Sequence, residues 1–189
     1  MSVAATTRMS PEEFLTWSLD QEGRWELVRG VPVRAMTGAT RRHDTIVVNT
    51  IVSLHPRLRG SRCSAQTADQ ALRTREDSVR RPDVTVDCGP TADNALESSR
   101  PTALFEVLSP STRKTDQFRK LEEYKAVDGL MHVALIDPDQ PVILLYTRGA
   151  GDAWTTAEVE GLEATLELSA LSITLPLGEI YAGVMFQPE

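Results

Sequence analysis

Lysine is almost missing from this chain. Lys114, Lys120 and Lys125 are the three lysines among 189 residues, all in one short segment, and arginine supplies the rest of the 20 basic side chains. Against 27 acids this leaves a net charge of −7, which excludes the uniformly basic surface of a protein held to nucleic acid by charge alone. The deficit is uneven. Residues 1–81 carry thirteen Arg against nine acids, a balance of +4, whereas 82–189 carry seven basic residues against eighteen acids, a balance of −11. A basic front on an acidic body suits a polyanionic partner, and equally two solvated faces of opposite sign. Cysteine is scarce too. Cys63 and Cys88 have no metal-ligand spacing and read as free core thiols, consistent with a reducing cytoplasm. No stretch approaches the roughly 20 apolar residues that span a membrane, and the first ten residues lack the apolar core of a secretory signal. A Gly-rich phosphate loop, a nucleophile elbow and paired CxxC motifs are all missing, which removes nucleotide-fold, serine-hydrolase and zinc-ribbon readings.

What is present is an ordinary globular composition, 41% hydrophobic and 25% charged, in a length that suits one domain over 1–189. Ser10-Pro11-Glu12-Glu13 predicts a short helix over about 11–19, with a capping box and Pro in the first turn. Two short strands flanking Arg29-Gly30 read as a β-hairpin. From Arg41 to Leu58, Ile46, Val47, Thr50, Ile51 and Leu54 follow helical spacing, ending at Gly60. Two strand-like pieces lie around 62–73, then strands at 84–86 and 103–108. Ser109 to Thr112 supplies an N-cap for a helix over about 113–126. The run 131–137 reads as a buried strand, paired across Asp137-Pro138-Asp139-Gln140 with 141–146. Edge strands over 153–175 and a short helix opened by Pro176 complete the chain, and the acidic stretch 87–100 is the most loop-like. From 41 to 136 the order is helix, three strands, helix, strand, which predicts a mixed sheet flanked by helices.

Two carboxylates interrupt this pattern. Glu106 sits inside the apolar run 103–109, and Asp83 follows Pro82 at the start of a strand. A charge within a buried strand is unfavourable by several kcal/mol unless compensated, and two on neighbouring strands repel. The usual remedy is a hard divalent cation held by oxygen ligands. Glu106 lies about 10 Å below the end of its strand, and Lys120 about 10 Å along the next helix, so a helix folding back over the sheet brings the amine level with the carboxylate. Asp116, Lys120 and Tyr124 loosely share one helical face. These positions point to Asp83 and Glu106 as ligands of Mg²⁺ or Mn²⁺, with Lys120 orienting or helping to deprotonate a water or stabilising phosphoryl charge. The competing readings are a turn residue for Asp83, an Arg-paired carboxylate for Glu106 and a solvated helical charge for Lys120. His43 points inward with Val47, Thr50 and Leu54, as a core residue or a site member, and the facing of Glu26 is undecided. His55 and His132 carry little signal.

At these residues the chain resembles the Uma-type restriction endonuclease family, formerly a domain of unknown function, within the PD-(D/E)XK nuclease superfamily. The resembling segments are 9–14, 24–30, 41–44, 80–86 and 106–111, then Asp116, Lys120, Leu121, Tyr124 and 135–138. The resemblance implies the restriction-endonuclease-like core, helix, three strands, helix and strand, with Asp83 and Glu106 as the metal pair. It also makes Glu26 and His43 candidate site members. The usual superfamily motif places Lys two residues after the second acid, where this chain has Leu108; Lys120 is carried over in its stead.

The function this implies is a Mg²⁺- or Mn²⁺-dependent endonuclease acting on DNA, with Arg41 and Arg42 toward the nucleic acid and a homodimer as the unit that cuts both strands. An alternative is a catalytically silent nuclease-fold module that binds nucleic acid or a protein partner. There Arg41, Arg42, Arg57, Arg59 and Arg62 would matter more than Glu106. A third is a different hydrolase, or an RNA-directed enzyme, using the same metal site.

Overall fold

The computed structural model describes residues 8–35, 40–90, 92–109 and 114–186, without the side chains of 114–117. Helix α1 (Pro11–Ser18) starts at the anticipated capping box, Ser10 Oγ accepting from Glu13 N and Glu13 Oε2 from Ser10 N. Strands β1 (Trp25–Val28) and β2 (Val31–Arg34) form the hairpin. Its turn puts Arg29 at φ 52° and Gly30 at φ 76°, the mirror-image turn whose twist matches paired strands. Arg29 is held in this unfavoured region by its N–H, which donates to Ser78 Oγ at 3.0 Å.

Helix α2 (Arg41–Leu58) is capped by Thr40 and buries Ile46, Thr50, Leu54 and Leu58 along one stripe. Then come β3 (Ser64–Thr67), β4 (Leu72–Arg75), β5 (Ser78–Arg80), β6 (Val84–Asp87), β7 (Pro101–Val107), α3 (Lys114–Lys125) and β8 (His132–Ile136). The chain ends through β9 (Val142–Arg148), β10 (Trp154–Glu160), β11 (Thr165–Leu168), β12 (Ile173–Pro176) and α4 (Leu177–Ile180). The N-cap expected at 109–112 falls largely outside the described residues.

The architecture is a mixed α+β one. A six-stranded sheet runs β10-β9-β8-β7-β6-β3. Its one parallel pair is β7 with β8, joined through α3. Within this sheet the chain order is α2, β3, β6, β7, α3, β8, as the helix and strand periods predict. The hairpin joins a separate four-stranded sheet, β2-β1-β5-β4. Strand β5 was not anticipated, because Ser78-Val79-Arg80 is buried throughout and shows no alternation. The loop 88–100 is tied at both ends by Asp87, whose carboxylate accepts from Gly89 N, Ser99 N and Arg100 N.

Both faces of the six-stranded sheet are covered. Val84, Val86, Ala103, Phe105 and Val107 pack with the α2 stripe, while Leu104 and Val133 pack with Leu121 and Tyr124 of α3. Side chains alternate along a strand, so Glu106 shares the α3 face with Leu104. Val184 and Phe186 pack onto the core, the Phe186 ring 5.5 Å from that of Tyr181, while Met185 between them is exposed. No helix among the described residues is long and apolar enough to cross a membrane.

The cysteines correct the reading as free thiols. Cys63 and Cys88 form a disulfide. They extend the β3–β6 pairing one step beyond Ser64 opposite Asp87, which sets them side by side. The case for a reducing compartment built on free thiols falls with that reading.

Candidate active site

Asp83 and Glu106 meet through strand register. β6 and β7 pair Val84 with Phe105 and Thr85 with Leu104, so one further step sets Asp83 opposite Glu106. Positions directly opposite in an antiparallel pair bring their Cβ atoms to about 5 Å, and like charges there repel. Asp83 Oδ2 is oriented by Val107 N, which donates to it at 2.8 Å. His43 Nε2 lies 3.3 Å from the same oxygen, and His43 Nδ1 is buried with no hydrogen-bond partner among the described residues. The bond to Asp83 raises the pKa of His43, against the effect of burial.

Glu106 lies under α3. The Tyr124 hydroxyl donates a short hydrogen bond to Glu106 Oε1, and Lys120 Nζ lies 3.9 Å from that oxygen. Burial pushes the Glu106 carboxyl up to about 7, against the pull of Lys120 and with the help of the Asp83 charge. Glu106 is not the Arg-paired carboxylate of the competing reading.

Behind Lys120 runs a buried ion lattice. Lys120 Nζ donates to Glu26 Oε1 at 3.0 Å. Arg80 Nη1 donates to Glu26 Oε2 at 2.9 Å, and its Nε and Nη2 grip Glu123 at 2.7 and 2.9 Å. Burial would drive Glu26 toward neutrality, but Lys120 and Arg80 outweigh it and lower its pKa. Burial likewise opposes the Lys120 charge, and Glu106 and Glu26 overcome it, so its pKa is raised. Lys120 is thus a firm ammonium. Four carboxyl groups, Asp83, Glu106, Glu26 and Glu123, gather around two permanent cations, Arg80 and Lys120, so the cluster carries a net negative charge once Glu106 ionises.

Strand β1 places Glu26, β7 Glu106, the residue ahead of β6 Asp83, the first turn of α2 His43, and α3 Lys120; all five converge. Asp116 is helical, but its side chain is outside those described. Arg41 is exposed, while Arg42 pairs with Asp139 and donates to Met185 O at 3.1 Å. Arg57 lies near the far end of α2, about 24 Å from Arg41 by helical rise, with Arg59 and Arg62 just beyond the helix, so they form no single patch with Arg41 and Arg42. Sequence reasoning missed Arg80 and Glu123 and gave Tyr124 no role. The available signals were Arg80 just ahead of Pro82-Asp83, and Glu123 one helical turn beyond Lys120.

Asp83 and Glu106 are hard oxygen donors, as a divalent cation of the Mg²⁺ class requires. Among the described residues no group of three or more His, Cys, Asp or Glu is arranged to hold a metal. A cation here would therefore complete its shell with backbone oxygen and water, as Mg²⁺ commonly does. With that provision the donor chemistry fits.

An uncharacterized protein of Synechocystis sp. is 27% identical to this chain over 181 residues, covering 95% of this chain and 94% of that one. The crystal structure of a protein from Anabaena variabilis, described as "a putative nuclease belonging to DUF820", matches with a TM-score of 0.73. Its sequence identity is 18%, with 94% of this chain and 99% of that chain covered; the likeness at that identity concerns the fold. A family model matches residues 11–178. The chain therefore belongs to the Uma2 family, whose description reads "Putative restriction endonuclease".

Proposed function

We propose that this chain is a metal-dependent endonuclease that hydrolyses phosphodiester bonds of DNA. The observation that carries this reading is the cross-strand placement of Asp83 opposite Glu106 with the Lys120 ammonium 3.9 Å from Glu106. Asp83 and Glu106 would hold Mg²⁺ or Mn²⁺. Bound there, the ion would polarise the scissile phosphate and lower the pKa of a water. The protein's own groups do the rest. Val107 N and His43 fix the Asp83 carboxylate, and the Tyr124 hydroxyl fixes Glu106. Lys120 neutralises charge that builds on the phosphoryl oxygens. Its raised pKa favours this electrostatic role over proton abstraction. Arg41, exposed beside His43 at the start of α2, is placed to meet the DNA backbone. Cutting both strands of a duplex needs two such sites, so the active unit we propose is a homodimer.

The test is incubation of supercoiled plasmid with the protein and Mg²⁺ or Mn²⁺, with a chelator control. Cleavage that needs the ion and disappears in Asp83→Ala and Glu106→Ala supports the reading; cleavage that persists in both variants overturns it. One observation favours a silent binding module instead: the amine is already committed to Glu26 at 3.0 Å. That reading predicts no heat on titration with Mn²⁺ and no cleavage.

A further inference from the structure

At the pole of the six-stranded sheet opposite Asp83 lies a cleft of about 450 Å³ whose wall includes both Cys63 and Cys88. It opens where β6 ends and β7 and β8 begin, roughly 15–20 Å from Glu106 by strand rise. Arg57, Arg62 and Arg100 line the same cleft. Arg57 is neutralised by Glu179 through bonds of 2.8 and 2.9 Å. Arg62 and Arg100 are exposed and enter no ion pair among the described residues. The two residues of the disulfide thus line a hollow whose rim carries two arginines outside any ion pair among the described residues. Cys88 is 6% exposed and Cys63 is the more exposed residue of the pair, which makes Cys63 the expected point of attack.

We infer that this cleft is a thiol–disulfide exchange site for anionic low-molecular-weight thiols of the glutathione class. Exchange proceeds by attack of a thiolate on a disulfide sulfur, and its rate depends on access, on the attacking thiolate and on the stability of the leaving one. Guanidinium groups around the cleft favour both thiolates and attract the carboxylates of such a reagent. The incoming thiolate forms a bond to Cys63 Sγ. The Cys63–Cys88 bond breaks, and its electron pair departs on Cys88 Sγ, which takes a proton from water. A second thiolate then attacks the small-molecule sulfur of the mixed disulfide, releasing Cys63, which is protonated in turn. The net change converts the protein disulfide and two thiols into a protein dithiol and the oxidised thiol dimer. In the reduced form the edge strand β3 loses its covalent tie to β6.

The experiment uses the full chain purified without reductant. It is exposed to glutathione, neutral 2-mercaptoethanol or cationic cysteamine at matched thiolate concentration, then alkylated and mapped by mass spectrometry. Glutathione is expected to open the disulfide about fivefold faster per thiolate than cysteamine, as attraction by one or two partly screened charges gives. The transient adduct is expected on Cys63. In the Arg62→Gln, Arg100→Gln double variant the rate ratio should fall toward one. Two free thiols in the protein as purified, equal rates for the three reagents in the unaltered chain, or an adduct confined to Cys88 would each overturn the inference.

Discussion

Lys120 Nζ lies 3.9 Å from Oε1 of Glu106, carried there by a helix that starts after β7 ends and folds back over it. Because Glu26 also holds the ammonium at 3.0 Å, its position is defined before any substrate arrives. Lys120→Met removes the charge and keeps most of the stem. Glu26 retains Arg80 as a partner, so the fold should survive. DNA cleavage should drop by on the order of 10²–10³-fold, the cost of losing one preorganised charge at a developing anion. Mn²⁺ affinity should not drop, since a neighbouring cation has been taken away. Calorimetry beside single-turnover cleavage checks both halves; an undiminished cleavage rate would remove Lys120 from the mechanism.

Asp83 and Glu106 stand at opposite positions of an antiparallel pair, an arrangement that costs stability when no cation lies between them. Glu106→Gln keeps the shape, still accepts from Tyr124 and deletes one of the two like charges. In chelator at pH 8 the variant should unfold at higher denaturant, by about 1 kcal/mol, while cleavage is lost. A gain in stability with a loss of activity is the mark of a strained functional pair. Destabilisation would instead identify Glu106 as a structural ion-pair member.

Arg80 should behave in the opposite way. It is 2% exposed and grips both Glu26 and Glu123, so Arg80→Met leaves two buried carboxylates short of a partner. The expected loss is about 3–5 kcal/mol in urea unfolding. Adding Glu26→Gln and Glu123→Gln to Arg80→Met should restore much of it, because the stranded charges are then gone. If the triple variant is no more stable than Arg80→Met alone, packing of the guanidinium stem matters more than its charge.

The part of this site legible in the sequence is the part set by local periodicity. A lone Glu in an apolar strand, a helix starting within a few residues and a Lys two turns into it suffice to stack Lys120 over Glu106. Val79, Arg80 and Glu123 were not legible in the same way. Arg80 is buried because β5 pairs with β1, at Leu27 and Val79, in a second sheet, and Glu123 meets it from a helix far along the chain. Such long-range ion pairing leaves no period in the sequence. The disulfide was hidden for a similar reason, since the β3–β6 register that aligns Cys63 with Cys88 is a tertiary fact. His43 showed the limit of facing arguments: an inward direction predicted burial but did not identify Asp83 as its partner.

His132 gives the chain a defined acid sensitivity away from the site. Its Nε2 accepts from Ala170 N at 3.1 Å, so the ring proton sits on Nδ1 and is donated to Thr147 Oγ1 at 3.2 Å. Protonation of Nε2 would turn an acceptor into a donor facing an N–H. Burial accordingly pushes the pKa down to about 4 from the usual 6.5. Between those two values the unfolded chain binds a proton that the native ring refuses, so stability rises with pH across that window and falls as pH drops through it. The full difference amounts to about 3 kcal/mol. Glu106, raised to about 7, contributes a slope of the opposite sign over the same window, so the His132 part is read as a difference. In urea unfolding followed from pH 7 to pH 4.5, His132→Gln should lose less stability on acidification than the unaltered chain, even if its stability at pH 7 is lower. An unchanged slope in the variant would assign the acid sensitivity to other groups.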